Sequence, residues 1–563
     1  CARIAEQLTA GLDFLSTPLR DVPERHRSLR AVFDDTWCLL TEVEQTALAK
    51  LSVFHGTFGL ETAEEIGGIT LPDLAGLVDK SLIRVDGTDR YALHELLRQY
   101  AADQLAQQAS LAGHRERAID YLTRAAMRAS DATQQRQAAA LLEGAITIAQ
   151  EGGLTVLLGE LHHKRAQALL KVSMWVEARP DLEAALRAPD SHNVDRQVQI
   201  LLELADVDFA LHNLAAMREH VNAAMALAEA EQRADLATSA MIQLGFLESN
   251  NGNLKGAVEV YKRVLVRGGD AHFYLGRTFY WLGCYTDAQS HIRQAIELVR
   301  DDPIKQIWPL QDLGLALVGT GLYTEADNLF DRSRQLCQEH DDRPLLARAL
   351  ANKAGFRLDV FDYAGNEALA EEARELARSV DFVVTVVSAG LDLMVNFARR
   401  GEVSRAEKML VEVNPAVEKA GGSHGWLWRL RLEQARAELA YARGDWDETL
   451  RLAEISLQYS RASGRVKYQA LGLNTRAQAL IALGRTSEAI VELRNALELT
   501  RPTGDVAMFT RIAANLLAIA VDESLAREAH AKVQRIVAEL PNDEMRRVFM
   551  AAAPVQQIIR LVR

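Results

Sequence analysis

The stretch "AHFYLGRTFYWLGCYTDAQSHIRQAIEL" (Ala271 to Leu298) holds an apolar helix with Leu275-Gly276, a turn at Gly283-Cys284, the aromatic Tyr285, and a second helix with Ala288 and Ala295. Read outward from there, the same pattern recurs from residue 160 onward. Its turns fall at Ser173, His212, Gly252, Gly283, Gly321, Asp362, Gly401, Gly444 and Gly484, with a degenerate last one near Val521. Successive spacings run from 31 to 43 residues and centre on about 40, inside the range of solenoid repeats. Seven residues before the turn a small residue recurs, as Ala166, Ala205, Gly245, Gly276, Gly314, Gly355, Ala437 and Ala477, where two helices must approach closely. Five residues after it stand Ala178, Ala257, Ala288, Ala326, Ala406 and Ala489. Turn aromatics (Trp175, Tyr285, Tyr323, Trp446) are placed to plug the hairpin ends, where their apolar area counts most.

Composition agrees with long helices. Twelve prolines in 563 residues are less than half the usual share of about 5%. The net charge of -13 would repel a phosphate backbone, so nucleic-acid binding would require a local basic patch. Cys1, Cys38, Cys284 and Cys337 are too few and too scattered for a disulfide framework or a metal cluster in sequence, and a reducing, cytoplasmic setting fits them best. No run of apolar residues reaches membrane-span length, and the opening Cys1-Ala2-Arg3 is read as an internal start, with more chain expected upstream.

Residues 1–110 have a different texture. Short helices are expected at 28–40, 41–53, 60–66 and 71–80, the second opened by Thr41 with Glu44 three later, a capping box. Ser81 to Val85 and Arg90 to Leu93 alternate around Asp86-Gly87-Thr88-Asp89, which predicts a β-hairpin. A long helix then runs from His94 to about Gln108. Helices followed by a hairpin make a winged helix, yet ten basic against seventeen acidic residues give this segment a net of -7. The expected recognition helix, Leu71 to Lys80, offers Asp73 and Asp79 against a lone lysine, so DNA reading is disfavoured.

The repeat motif resembles the tetratricopeptide repeat over about residues 160–540, with a period longer than that family's usual 34. The expected architecture is therefore all-α: a right-handed superhelical solenoid at 161–540, closed by capping helices at 541–563, and reached from the winged helix (1–110, with its N-terminal helical linker) through a connector at 111–160. The motifs "LRDVPERHRSLRAVFDDTW" (Leu19 to Trp37), "LSVFHGTFGLETAEEI" (Leu51 to Ile66), "LVDKSLIR" (Leu77 to Arg84) and "RYALHELLRQYA" (Arg90 to Ala101) resemble the winged-helix segment of the signal-transduction ATPases with numerous domains (STAND), in particular large bacterial regulators with an ATPase core ahead of the repeats.

Two sets of site residues follow from these resemblances. Leu93-His94-Glu95 stands at the STAND family's Met-His-Asp motif, although Leu93 and Glu95 depart from it, which implies that His94 senses the phosphates of ADP held by an ATPase core. Its alternative is a cap on the following helix. The repeat family's inner-wall positions, thirteen, ten, six and three residues before each turn, place Phe246, Phe273, Arg277, Tyr280, Trp308, Gln311, Asn352 and Phe356 along a concave groove. Their alternative is inter-repeat core. The chain contains no Gly-x-x-x-x-Gly-Lys-Ser/Thr, so it is not expected to be an enzyme or to hold a cofactor itself, with ADP or ATP entering only through an upstream ATPase domain. Gly421-Gly422-Ser423-His424-Gly425 satisfies the esterase elbow Gly-x-Ser-x-Gly but lies between helices, whereas that chemistry needs a strand before the serine. Adjacent His162 and His163 point apart on a helix and make no metal pair. The leading expectation is the sensor part of a nucleotide-switched regulator that binds a protein, peptide or small effector and has the capacity to oligomerise on activation. A passive scaffold and a DNA-binding regulator are the alternatives.

Overall fold

The computed structural model describes residues 29–54, 56–86, 90–111, 115–131, 134–188, 193–420 and 425–562. The expected linker at 1–28, the hairpin turn Gly87 to Asp89 and the Gly421 to His424 part of the esterase-like motif lie outside them. The chain forms two compact units, residues 1–211 and 212–563.

In the first unit, helices Leu29–Cys38, Glu42–Leu51, Leu60–Gly67 and Leu71–Asp79 fall within a residue or two of expectation. The Thr41 hydroxyl accepts from Glu44 N–H while Glu44 accepts from Thr41 N–H, which completes the capping box. Strands β2 (Ile83–Val85) and β3 (Arg90–Leu93) form the hairpin, with Arg84 opposite Ala92. A third strand, β1 (Thr57–Gly59), joins β3 antiparallel to give the order β1-β3-β2. Three residues are too few to show alternation, so β1 left no sequence signal. Helix Glu95–Leu111 and the hairpins Arg115–Asp131/Gln135–Glu151 and Thr155–Leu170/Trp175–Arg187 follow, then Val194–Ala210. One hydrophobic core runs from Leu40 to Val207, across the boundaries expected at 110 and 160.

The second unit is a tetratricopeptide-like solenoid of paired helices from Leu214–Ala230 to Glu523–Glu539, closed by Asp543–Ala551 and Ala553–Val562. Its turns pass through the left-handed region at His212, Gly252, Gly283, Gly321, Gly401, Gly444 and Gly484. One expected position is corrected: the left-handed residue is Phe361 (φ 62°), because Asp362 caps the next helix by accepting from Gly365 N–H at 2.9 Å. The matching small residue is then the fully buried Ala354 rather than Gly355. The small positions are where paired helices touch, since a Cβ on Gly276 would lie 2.6 Å from Ile292 and one on Gly314 2.5 Å from the Phe330 ring.

The hairpin tips of one stretch of solenoid dock on helices that lie 177 to 215 residues later. The Ser249 carbonyl accepts from the Trp426 indole (3.1 Å), the Trp281 carbonyl from Arg465 Nη1 (3.0 Å) and the Thr320 carbonyl from Arg535 Nη2 (2.8 Å). These carbonyls end helices, where intrahelical partners run out. Gly321 shows how tightly the tips fit: its φ is 79°, and a Cβ there would sit 2.6 Å from Val506. Gly321→Ala is expected to cost about 1–2 kcal/mol in left-handed strain plus about 1–3 kcal/mol in overpacking. Gly484→Ala, at φ 76° with nothing within 4 Å of the added methyl, should show the strain alone. Denaturant unfolding of the two variants measures the difference.

Candidate functional site: a charged inner cavity

Docking the tips leaves an open-mouthed cavity of about 240 Å³ in the second unit. Its wall is built by the first helices of successive pairs. Tyr280 comes from His272–Leu282, Arg348 and Asn352 from Arg343–Asp359, Asp392 and Arg399 from Val383–Arg399, Arg431 and Glu438 from Gly425–Arg443, and Arg511 from Val506–Leu517. Arg465, Lys467 and Tyr468 enter from the start of Val466–Ala482.

Ion pairs hold most of these charges. Arg399 grips Glu438 through two parallel bonds of 2.6 and 2.9 Å, the strong, planar geometry of a guanidinium–carboxylate fork. Arg431 pairs with Asp392 at 2.7 Å, and Lys467 with Asp359 at 2.7 Å. Burial works against each charge, but Arg399 still pulls the Glu438 carboxyl below its usual range, and Asp359 and Asp505 hold the Lys467 ammonium well above its own. Behind the wall, Asp312 is 2% exposed and accepts from Arg277 Nε at 2.8 Å and from Arg348. Burial opposes its charge, yet the two arginines keep its carboxyl below the ordinary value.

Asp505 behaves differently, because burial, with Asp359 adding to it and Lys467 opposing, raises its carboxyl to about 6. Native protein therefore binds more protons than unfolded chain between about pH 4 and 6, so stability falls as pH rises through that window, by about 2–3 kcal/mol. Asp505→Asn keeps an acceptor for Met508 N–H, now 2.8 Å away, and should flatten this slope in urea unfolding measured from pH 4 to 7.

The expected groove residues do not share one place. Tyr280, Asn352 and Phe356 line the cavity. Phe273, Arg277 and Trp308 form a ladder beside it, with guanidinium-to-ring distances of 4.6 Å for Arg277–Phe273, 5.0 Å for Arg277–Trp308 and 4.2 Å for Arg348–Trp308. Trp308 is 36% exposed, so that ladder borders solvent. Two placements are corrected. Gln311 is fully buried, donating to Ser333 Oγ (2.9 Å) and the Leu345 carbonyl (3.0 Å), and Phe356 is 1% exposed and stacked on Tyr323 at 5.3 Å. Both serve the inter-repeat core: Phe356 because the turn sits one residue earlier, at Phe361, and Gln311, whose own turn at Gly321 is as expected, because the helices that carry Ser333 and Leu345 cover it. Phe246 is half-buried, edge-on to Tyr274 and outside the cavity wall.

In the first unit His94 is exposed and caps helix Glu95–Leu111, its Nδ1 accepting from Leu96 N–H at 3.3 Å. Lys80, the lysine of the expected recognition helix, is tied to Glu44 at 2.6 Å. His162 pairs with Asp181 and His163 with Glu203, at 2.7 and 2.8 Å. Among the described residues no metal-binding cluster of three or more His, Cys, Asp or Glu occurs, and no helix is long and apolar enough to cross a membrane.

No protein-family model matches this chain. Over 130 residues it is 34% identical to proteins named as HTH-type transcriptional regulators in Mycobacterium bovis and Mycobacterium tuberculosis, a match covering 21% of this chain. The chain spans 15% of the length of these curated relatives. Among solved structures, a Rap protein in complex with competence and sporulation factor is 14% identical with a TM-score of 0.48, over 63% of this chain and 99% of that one. The Cut9–Hcn1 assembly of the APC/C is 16% identical, TM-score 0.41, over 82% and 90%. A STAND protein with a tetratricopeptide repeat sensor from Pyrococcus horikoshii is 13% identical, TM-score 0.30, over 92% and 67%.

Proposed function

We propose that this chain is the signal-receiving part of a nucleotide-switched regulator. The solenoid takes up a protein, peptide or small-molecule signal in its inner cavity, and the N-terminal helices and hairpin pass occupancy to an ATPase module in the same protein. The observation that carries this reading is the cavity itself, a concave, open-mouthed space with converging polar groups and aromatic walls, which is the usual form of a ligand site. The STAND-like motifs from Leu19 to Ala101 supply the nucleotide link. His94, at the mouth of a helix and exposed, is assigned the contact to ADP phosphates in the resting state, its imidazole able to donate a hydrogen bond. This chain then needs no catalytic residue or cofactor of its own, and its partner in regulation is the ATPase module. Activation by oligomerisation in the cytoplasm fits the same scheme. The mycobacterial relatives' names fit an output in transcription, carried by another part of such a protein, since the segment offered to DNA here is acidic.

The test uses the polypeptide that carries the ATPase module together with this chain. A signal must favour one of two states to work the switch, and His94→Ala is expected to speed ADP release about tenfold or more, the loss of one hydrogen bond to a charged group, while circular dichroism stays unchanged. An ADP off-rate equal to that of the wild type overturns the switch and leaves His94 as a helix cap.

A further inference from the structure

The cavity wall carries more positive than negative charge, in a protein whose net charge is -13. Its cations are Arg348, Arg399, Arg431, Arg465, Lys467 and Arg511, and its carboxylates are Asp359, Asp392 and Glu438. The three wall carboxylates are taken by Lys467, Arg431 and Arg399, and Arg348 is paired with Asp312 behind the wall. Arg465 and Arg511 stand apart from this pairing.

Arg465 is only 6% exposed. Its Nη1 donates to the Trp281 carbonyl, its guanidinium lies 5.3 Å from the Tyr468 ring and 5.8 Å from Tyr280, and its Nε is buried without a hydrogen-bond partner. A guanidinium N–H is an obligatory donor, and an orphaned one in the interior is costly. Arg511 lies 4.5 Å over the Phe361 ring, and no ion pair to a carboxylate is formed by it among the described residues. Burial and the neighbouring Arg399 lower its pKa, with Tyr363 and Glu438 partly compensating. Two arginines held in a low-dielectric pocket with incomplete compensation are stabilised by whatever negative group enters.

We infer that the inner cavity binds a small organic anion, with its carboxylate or phosphate group held by Arg465 and Arg511 and its body against Tyr280 and Tyr468. Arginine forks match both oxyanions, and the aromatic rings give contact area at low entropic cost. The inference rests on reading the cavity as the signal site and adds the chemical class of the signal.

Citrate and inorganic phosphate serve as probes of the two oxyanion types, titrated to millimolar concentration into the full chain at constant ionic strength. Binding is followed by calorimetry and by the fluorescence of Trp281 and Trp428, both in the cavity wall. Saturable binding of at least one probe is expected, weakened about tenfold or more by Arg511→Gln and by Arg465→Gln, and untouched by Arg293→Gln, whose arginine pairs with Glu325 in solvent. A preference for citrate assigns a carboxylate, and a preference for phosphate a phosphoryl group. If Arg465→Gln fails to fold for want of its bond to Trp281, Arg511→Gln decides alone. Absence of saturable binding of both probes overturns the inference, as does binding that survives Arg511→Gln. Anion binding that leaves ADP release unchanged counts against the switch alone, whereas signal-driven ADP release without anion binding counts against the anion alone.

Discussion

Asp312→Ala will lower the stability of the solenoid by about 3–5 kcal/mol, the usual cost of stripping one partner from a buried ion pair. The carboxylate is 2% exposed and is shared by Arg277 and Arg348, whose side chains keep only 15% and 16% of their surface. Its removal leaves two guanidinium groups facing each other with no counter-ion and loosens the ladder on which Trp308 lies. Thermal unfolding followed by circular dichroism measures the loss. Adding Arg348→Met to Asp312→Ala should recover part of it, because the uncompensated charge, rather than the missing contact, makes up most of the penalty. A fall below about 1 kcal/mol would show that water reaches the triad and that it behaves as a surface pair.

Lys467→Met is the second large effect. Lys467 binds Asp359 at 2.7 Å and also holds down Asp505. Methionine preserves the bulk of the side chain, so the expected loss of about 3–5 kcal/mol near pH 7 is electrostatic. It carries a signature that a packing defect lacks. Without the ammonium the buried Asp505 carboxyl takes up a proton in the native state still more readily than in the unfolded chain, so the deficit must shrink as pH is lowered toward 5. A deficit of equal size at pH 5 and pH 8 would place the damage in packing instead.

The helical pairs, their period and their close contacts were legible in the sequence, because they depend on interactions between residues near one another in the chain. A small residue seven before each turn and an alanine five after it mark the crossing point of one helix on the next, and Ala178, Ala257, Ala288, Ala326, Ala406 and Ala489 are all fully buried. The inner-wall register matches the cavity wall at some repeats only. Arg431, Gln434 and Glu438 stand thirteen, ten and six residues before Gly444, Arg348 thirteen before Phe361, and Met508 and Arg511 thirteen and ten before Val521, all of them in the cavity wall. Carried only along the central repeats, the same register selected Gln311, which lies in the core, and, one residue out at Asp362, Phe356, and it passed over these charges. What no local pattern could foretell is that hairpin tips dock on helices 177 to 215 residues away. That docking closes the groove into a cavity and brings Arg465, Lys467 and Trp281 into its wall. Such a contact is decided by the accumulated rotation from one helix pair to the next, a property of the packed solenoid that no single repeat contains.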